Sequence, residues 1–421
     1  MLLIIFARLN GGLTMNIREL RNMFPALSRT VYGKQLVYFD NAATAQRSQS
    51  VIDKWTQLTI GANANIHRAV HKLAVDATDE YESTRDAVKE YINAAAREEI
   101  VFTSGTTGSI NLVAFSFGET FVNKGDEIIV SESEHHSNIV PWQMLCQRKG
   151  AVLRVLHVDE DGHLNLEELK SLLNPKTRIV AVTQISNVLG ILNPVKEIVS
   201  ICHSVGCPVL IDGAQGMVHE GVDVQDVDCD FYAFSGHKLY AATGTGVLYG
   251  KRKWLDQMVP YQGGGEMIAT VRFSGTTYAP LPEKFEAGTQ NINAIPTLEP
   301  AIEMLKLMKD KELLNAQEAV SQYLFHALTS NPRIRLYGVP RGTETKIPLF
   351  SFSVEGAHHE DLALILDKMG IAVRSGQMCA EPLMDRFGVT GMLRASLAPY
   401  NTMDEAEYFI KSLDKAIAML V

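Results

Sequence analysis

Cysteine is scarce in this chain. Five occur among 421 residues, at Cys146, Cys202, Cys207, Cys229 and Cys379, irregularly spaced and with no Cys-x-x-Cys pair, which excludes a disulfide framework and points to a reducing compartment, the cytoplasm. Long apolar runs are missing too. The opening Met1-Leu2-Leu3-Ile4-Ile5-Phe6 is too short to cross a bilayer and has neither a basic leader nor a small-residue cleavage site. Residues 1–14 are therefore read as a mis-assigned or disordered start, with Met15 beginning the folded protein. Basic charge is sparse: the net charge is −9 and the only basic cluster is Lys251-Arg252-Lys253, which disfavours nucleic acid and anionic membranes as partners. There is no internal repeat and no low-complexity segment. A composition 46% hydrophobic and 21% charged is that of a globular protein acting on a small molecule, and the length favours about two domains.

The stretch Phe234-Ser235-Gly236-His237-Lys238-Leu239 follows an apolar, strand-like run. Upstream, Pro208-Val209-Leu210-Ile211-Asp212-Gly213-Ala214-Gln215 reads as a buried strand ending in an aspartate, at the sheet edge where ligands bind in α/β proteins. A lysine and an aspartate, each at a strand end, point to pyridoxal phosphate. That cofactor needs an amine for its Schiff base and an anion to keep its pyridine nitrogen protonated.

Apolar runs at 100–103, 128–130, 152–155, 179–182 and 209–211 read as strands, separated by helical stretches such as 142–148, 166–173 and 195–203. This rhythm argues a mostly parallel sheet covered on both faces. The loop Ser104-Gly105-Thr106-Thr107-Gly108 leads into an apolar helix, where free N–H groups and hydroxyls suit a phosphate. Polar clusters at Glu134-His135-His136-Ser137-Asn138 and Ser186-Asn187 follow other strands. A short strand at 36–39 delivers Asp40-Asn41-Ala42-Ala43-Thr44 to a turn, Gly263-Gly264-Gly265 reads as a flexible connector, and a long helical stretch from Pro296 to Leu328 bridges to a second domain.

With these residues in hand, the chain resembles a cysteine desulfurase of group II, the SufS-type and selenocysteine-lyase-like branch of the class-V aminotransferases. The likeness runs from Met15 to the carboxyl end and is carried by Tyr38-Phe39-Asp40-Asn41-Ala42-Ala43, Phe102-Thr103-Ser104-Gly105-Thr106-Thr107, Glu134-His135-His136-Ser137-Asn138-Ile139-Val140-Pro141-Trp142, Phe234-Ser235-Gly236-His237-Lys238, Phe285-Glu286-Ala287-Gly288-Thr289 and Arg374-Ser375-Gly376-Gln377-Met378-Cys379-Ala380-Glu381-Pro382.

The resemblance implies an α/β fold of the fold type I pyridoxal-phosphate class: an N-terminal segment at 15–35 packing with the small domain, a large domain at 36–295 with a mostly parallel seven-stranded sheet, and a small α/β domain at 296–421 carrying the catalytic cysteine. It implies that Lys238 carries the cofactor and shuttles protons. Asp212 pairs with the pyridinium nitrogen, Gln215 and Asn187 bond the phenolic oxygen and substrate, and His135 lies on the ring face as proton donor or acceptor. Thr106, Thr107, Ser235 and His237 hold the phosphate, joined by Thr289 from a second subunit of a homodimer, and Arg374 and Arg394 take the substrate carboxylate. Cys379 attacks the sulfur of L-cysteine, or of its selenium analogue L-selenocysteine, leaving alanine and an enzyme persulfide.

The Cys379 loop is pinned between Gly376 and Pro382, so the persulfide is expected to need a docking sulfur-acceptor protein, with iron–sulfur cluster assembly as the expected destination. Four sites depart from the family pattern: Gly108, Ala69, Ala241-Ala242, and Gln377-Met378, where one or two histidines commonly precede the cysteine. A kynureninase-like or aminotransferase-like enzyme would share Lys238 and Asp212 but has no need of Cys379. A non-catalytic pyridoxal-phosphate-binding scaffold would need neither Cys379 nor the arginines.

Overall fold

Seven short runs form one sheet: β1 Ile100–Thr103, β2 Glu127–Ser131, β3 Val152–Leu156, β4 Thr177–Thr183, β5 Val209–Asp212, β6 Phe231–Ser235 and β7 Gly246–Gly250. The computed structural model describes residues 15–341 and 346–421, so the expectation for residues 1–14 falls outside it. The strands lie in the order β1-β7-β6-β5-β4-β2-β3. Pairings from β3 through β6 are parallel, and only β7 runs against its neighbours β6 and β1.

Strands β5, β6 and β7 are buried along their whole length, and they read as continuous apolar runs because both faces are covered. Their side chains alternate between two cores. Val180 and Val182 of β4 enter one core, and Ile179 and Ala181 the other.

The hairpin β8 Ile268–Arg272 and β9 Gly275–Tyr278, where the sequence offered only a glycine-rich connector, stands exposed after the large sheet. A second sheet is antiparallel, with β10 Ile334–Tyr337, β11 Leu349–Val354, β12 Arg374–Gly376 and β13 Met392–Ser396 in the order β10-β11-β13-β12. Helices Lys311–Ser330, His359–Lys368 and Met403–Leu420 send apolar residues into its core.

The expected long helix after Pro296 is two helices, Leu298–Met308 and Lys311–Ser330, and the Asp310 carboxylate caps the second by accepting from the Glu312 N–H at 2.9 Å. Leu298, Ala301 and Leu305 pack in the large-sheet core, whereas Val320 and Leu324 pack in the small-domain core. Leu313 still packs in the large-sheet core, so the change of core falls within the second helix, between Leu313 and Val320.

The start of the chain also crosses over. Val37 and Tyr38 pair in parallel with Ile371 and Ala372, and Val37 and Phe39 are buried in the small-domain core, with Phe39 edge-on to Phe409 at 5.5 Å. This strand was expected to open the large domain. Its pleat finds its hydrogen-bonding partner in the small one. The segment before it touches both sides: Leu20, Phe24 and Leu27 enter the large-sheet core, while Arg21 pairs with Glu405 at 2.8 Å.

Candidate active site

Strands β1, β2, β4, β5 and β6 all end on one edge of the large sheet, and the polar residues that follow them meet there. Asp212, the last residue of β5, is 3% exposed. Its Oδ1 accepts the Ala214 N–H at 2.9 Å, and no side-chain cation pairs with it among the described residues. Burial pushes its carboxyl above the ordinary range, with the Ala214 N–H and Lys238 pulling the other way. A buried carboxylate so placed is suited to a cationic N–H.

Past β6 the chain turns through Gly236, whose N–H bonds to Thr245 O at 2.9 Å. A Cβ at Gly236 would lie 2.1 Å from Thr245 Oγ1, so the turn requires glycine. Lys238 follows, with no hydrogen bond or ion pair on its amine among the described residues. Burial lowers its ammonium to about 8, with Asp212 opposing and Arg394 adding to the shift.

At the end of β1, Gly105 precedes the helix Thr106–Phe121 without a side-chain cap. The start of β7 presses on it: a Cβ on Gly246 would lie 2.3 Å from Gly105 Cα. The Thr106 N–H donates to Ser235 Oγ at 2.8 Å, the Thr106 and Ser235 hydroxyls meet at 2.7 Å, and Thr107 Oγ1 meets Ser137 Oγ at 2.7 Å. His237 Nδ1 lies 3.2 Å from Thr44 Oγ1, and burial lowers its imidazolium to about 4. Hydroxyls and free helix N–H groups around a neutral imidazole form a cradle for a phosphate dianion.

His135 follows β2. Its Nδ1 accepts the Ser137 N–H at 3.1 Å, which places the ring proton on Nε2. Burial, then Lys238, hold its imidazolium down to about 4, so the ring is neutral at physiological pH. At the preceding residue, burial raises the Glu134 carboxyl to about 8; that group accepts from Asn138 Nδ2 at 2.7 Å and the Thr183 N–H at 2.8 Å. Gln215 Nε2 donates to Ala42 O at 2.7 Å and Asn187 Nδ2 to Met378 O at 2.8 Å.

From the small domain, Arg394 on β13 is 3% exposed. It donates through Nη1 to Asn187 O at 2.7 Å and pairs through Nη2 with Asp40 Oδ1 at 3.3 Å, while its Nε is buried without a partner. An orphaned guanidinium N–H in a cleft is a donor reserved for an anion. Arg374 on the neighbouring β12 stands opposite in register.

These groups line one cleft of about 250 Å³. Lys238, Asp212, His135, Thr106, Thr107, Ser235, His237, Asn187, Gln215, Arg374, Arg394 and Cys379 are all brought to it. Thr289 is not. It lies beside Ser104 and Gly108 in a second hollow of about 280 Å³. Cys379 is exposed, whereas Cys146, Cys202, Cys207 and Cys229 are buried, and burial pushes each of those four thiols upward. Sequence reasoning gave no role to Asp40, Ser137 or Met378. Each left a signal that could have found it: Asp40 ended a strand-to-site junction, Ser137 stood in a polar cluster after a strand, and Met378 departed from the family pattern beside the cysteine.

The residues fit pyridoxal phosphate: an amine held near neutrality, a buried carboxylate awaiting a cation, and a hydroxyl-lined helix start converge on one cleft.

Comparison with known proteins agrees. The family described as Aminotransferase class-V matches residues 37–409. A cysteine desulfurase of Pectobacterium carotovorum is 45% identical over 405 residues, 96% of this chain and 98% of that one. One from Escherichia coli O8 is 45% identical over 409 residues, 97% of this chain and all of that one. Among solved structures, the cysteine desulfurase CsdA of Escherichia coli superposes with a TM-score of 0.89 at 39% identity, covering 97% of this chain and 100% of that one. The apo cysteine desulfurase of Thermococcus onnurineus superposes at 0.90 with 34% identity over the same shares.

Proposed function

Because the chain belongs to the class-V aminotransferase family, we propose that it is a pyridoxal-phosphate-dependent cysteine desulfurase whose sulfur acceptor is Cys379. L-cysteine and the Cys379 thiol give L-alanine and a persulfide. The thiolate pair forms the S–S bond as the C–S bond breaks, and no external oxidant is needed. The convergence of Lys238, Asp212 and an exposed Cys379 on one cleft carries this reading.

When bound, pyridoxal phosphate supplies an electron sink for the bonds broken at the amino acid's α and β carbons. Lys238 and Asp212 would hold its two reactive ends. Thr106, Thr107, Ser235 and His237 would hold its phosphate, with His135, Asn187 and Gln215 around the ring. Arg394 and Arg374 orient the substrate carboxylate, for which a planar guanidinium gives a two-pronged match. Lys238 Nζ, with its ammonium lowered to about 8, takes and returns a proton near neutral pH. Neutral His135 presents Nε2–H to the cleft.

The finer assignments follow the same reading. L-selenocysteine is a second substrate, since its selenium stands where the cysteine sulfur does and is likewise open to attack by the thiol, forming an S–Se bond as the C–Se bond breaks. The acceptor of the persulfide is a docking protein, because the Cys379 loop is short, and iron–sulfur cluster assembly is its destination. The enzyme works as a cytoplasmic homodimer. Thr289 lies outside its own chain's cleft, and the hairpin β8–β9 exposes Val271, Phe273 and Tyr278, both in keeping with a second copy. Among the described residues no helix is long and apolar enough to cross a membrane.

Alanine release from cysteine tests the reading. Cys379→Ser is expected to abolish turnover while keeping the cofactor absorbance; retained turnover would overturn it in favour of a kynureninase-like or aminotransferase-like reaction.

A further inference from the structure

The loop 377–380 joins β12 to the helix Glu381–Phe387. Two consecutive residues with side chains hold left-handed backbone there, Met378 at φ 54° and Cys379 at φ 55°, a region that a Cβ disfavours. The loop's local hydrogen bonds, Ala380 N–H to Gln377 O at 3.0 Å and Gln377 Nε2 to Glu381 Oε1 at 3.1 Å, touch neither Met378 nor Cys379, so the hold on the pair comes from outside the loop.

Most of that hold comes from one residue. The His136 N–H donates to Cys379 O at 2.7 Å, and His136 Nε2 accepts the Glu381 N–H at 3.0 Å. The same histidine thereby grips the chain on both sides of Ala380, directly after Cys379. Because Nε2 accepts, the ring proton sits on Nδ1. Asn187 adds the bond to Met378 O, and the Met378 side chain is 6% exposed, sunk among Val188, Leu189, Leu383 and Met392. A methionine thus anchors the loop from below where the family commonly has a histidine. His136 itself does not line the cleft.

We propose that His136 is a positioning residue for sulfur transfer: it clamps the backbone around Cys379 so that the thiol faces the substrate sulfur. This rests on the reading of Cys379 as sulfur acceptor. Removing the ring frees the Glu381 N–H and leaves the left-handed pair held only by the His136 backbone N–H and Asn187, a looser hold that displaces the thiol without touching the cofactor or carboxylate sites.

The test uses the holoenzyme with His136→Ala and His136→Gln. Misplacing a reacting group by about 1 Å costs up to roughly a hundredfold. His136→Ala is therefore expected to lower kcat for alanine formation by about tenfold to a hundredfold, with KM for cysteine and the cofactor absorbance unchanged. His136→Gln keeps an acceptor oxygen and is expected to recover most of the loss, a rescue that general destabilisation would not give. Wild-type kcat in His136→Ala, or equal damage in both variants, overturns the proposal. If neither variant folds, hydrogen exchange on the wild-type holoenzyme decides: the Glu381 amide is expected to be protected, and exchange at the rate of a free amide overturns the clamp. Retained turnover in Cys379→Ser would instead refute the underlying reading, whereas an inert Cys379→Ser beside a fully active His136→Ala refutes the clamp alone.

Discussion

Replacing Arg394 by lysine separates charge from geometry at the substrate carboxylate. The guanidinium has five N–H donors. One goes to Asn187 O and one to Asp40 Oδ1, and Nε–H is buried without a partner. Lysine keeps the cation beside Asp40, whose carboxyl is raised by burial and lowered by Arg394, so the fold around residue 40 survives. The planar fork is lost. A hydrogen bond between charged groups is worth about 1.5–3 kcal/mol, and at about 1.4 kcal/mol per decade the loss of one prong raises KM for cysteine by roughly 10- to 140-fold. Because that contact holds substrate and transition state alike, kcat is expected to stay within about threefold. Initial rates of alanine formation against cysteine concentration read both constants, and the cofactor band checks the site. A KM within twofold of wild type would refute the assignment of Arg394 to the carboxylate.

Lys238 gives a pH prediction. Its ammonium is lowered to about 8, so the neutral amine that captures the cofactor grows in through pH 8 and is complete well below the ordinary lysine range near 10.4. Loading of the apo protein, followed by cofactor absorbance, is expected to be half-maximal near pH 8 and flat above about pH 9; a rate still climbing to pH 10 contradicts this. A stability prediction concerns Arg85, which is fully buried and bonds Glu286 through Nη1 at 2.7 Å and Nη2 at 3.0 Å. Glu286 in turn accepts the Phe102 N–H of β1 at 2.7 Å. Arg85→Ala strands that carboxylate and is expected to cost about 3–5 kcal/mol in urea unfolding, where a loss under about 1 kcal/mol would show the pair to be weak.

What was legible in the chain follows from burial. Strands β4 to β6 announce themselves because both faces are covered, and the residues at their ends stand out as the first polar groups after apolar runs. The hairpin β8–β9 was invisible because nearly every residue in it faces solvent, so no apolar face marks its period. The strand at 37–38 was visible as a strand but not as a neighbour of Ile371, since register between distant segments leaves no local trace. Asp40 likewise meets Arg394 across 354 positions. His136 stood in a recognised motif, but its grip on both sides of Ala380 depends on a loop far along the chain.

The pairing of Val37 with Ile371 also sets an order of assembly during synthesis. The strands of the large sheet emerge in one block and can fold on the ribosome. The turn that supplies Ala42 and Ala43 to the cleft must wait for a partner made about 330 residues later, roughly 15–70 s at ordinary translation speeds. Asn41 then bonds Ser396 O and Asn401. A nascent chain halted before residue 371 therefore holds a finished sheet with an open mouth, and the wall of the cleft closes only when the ribosome is nearly done.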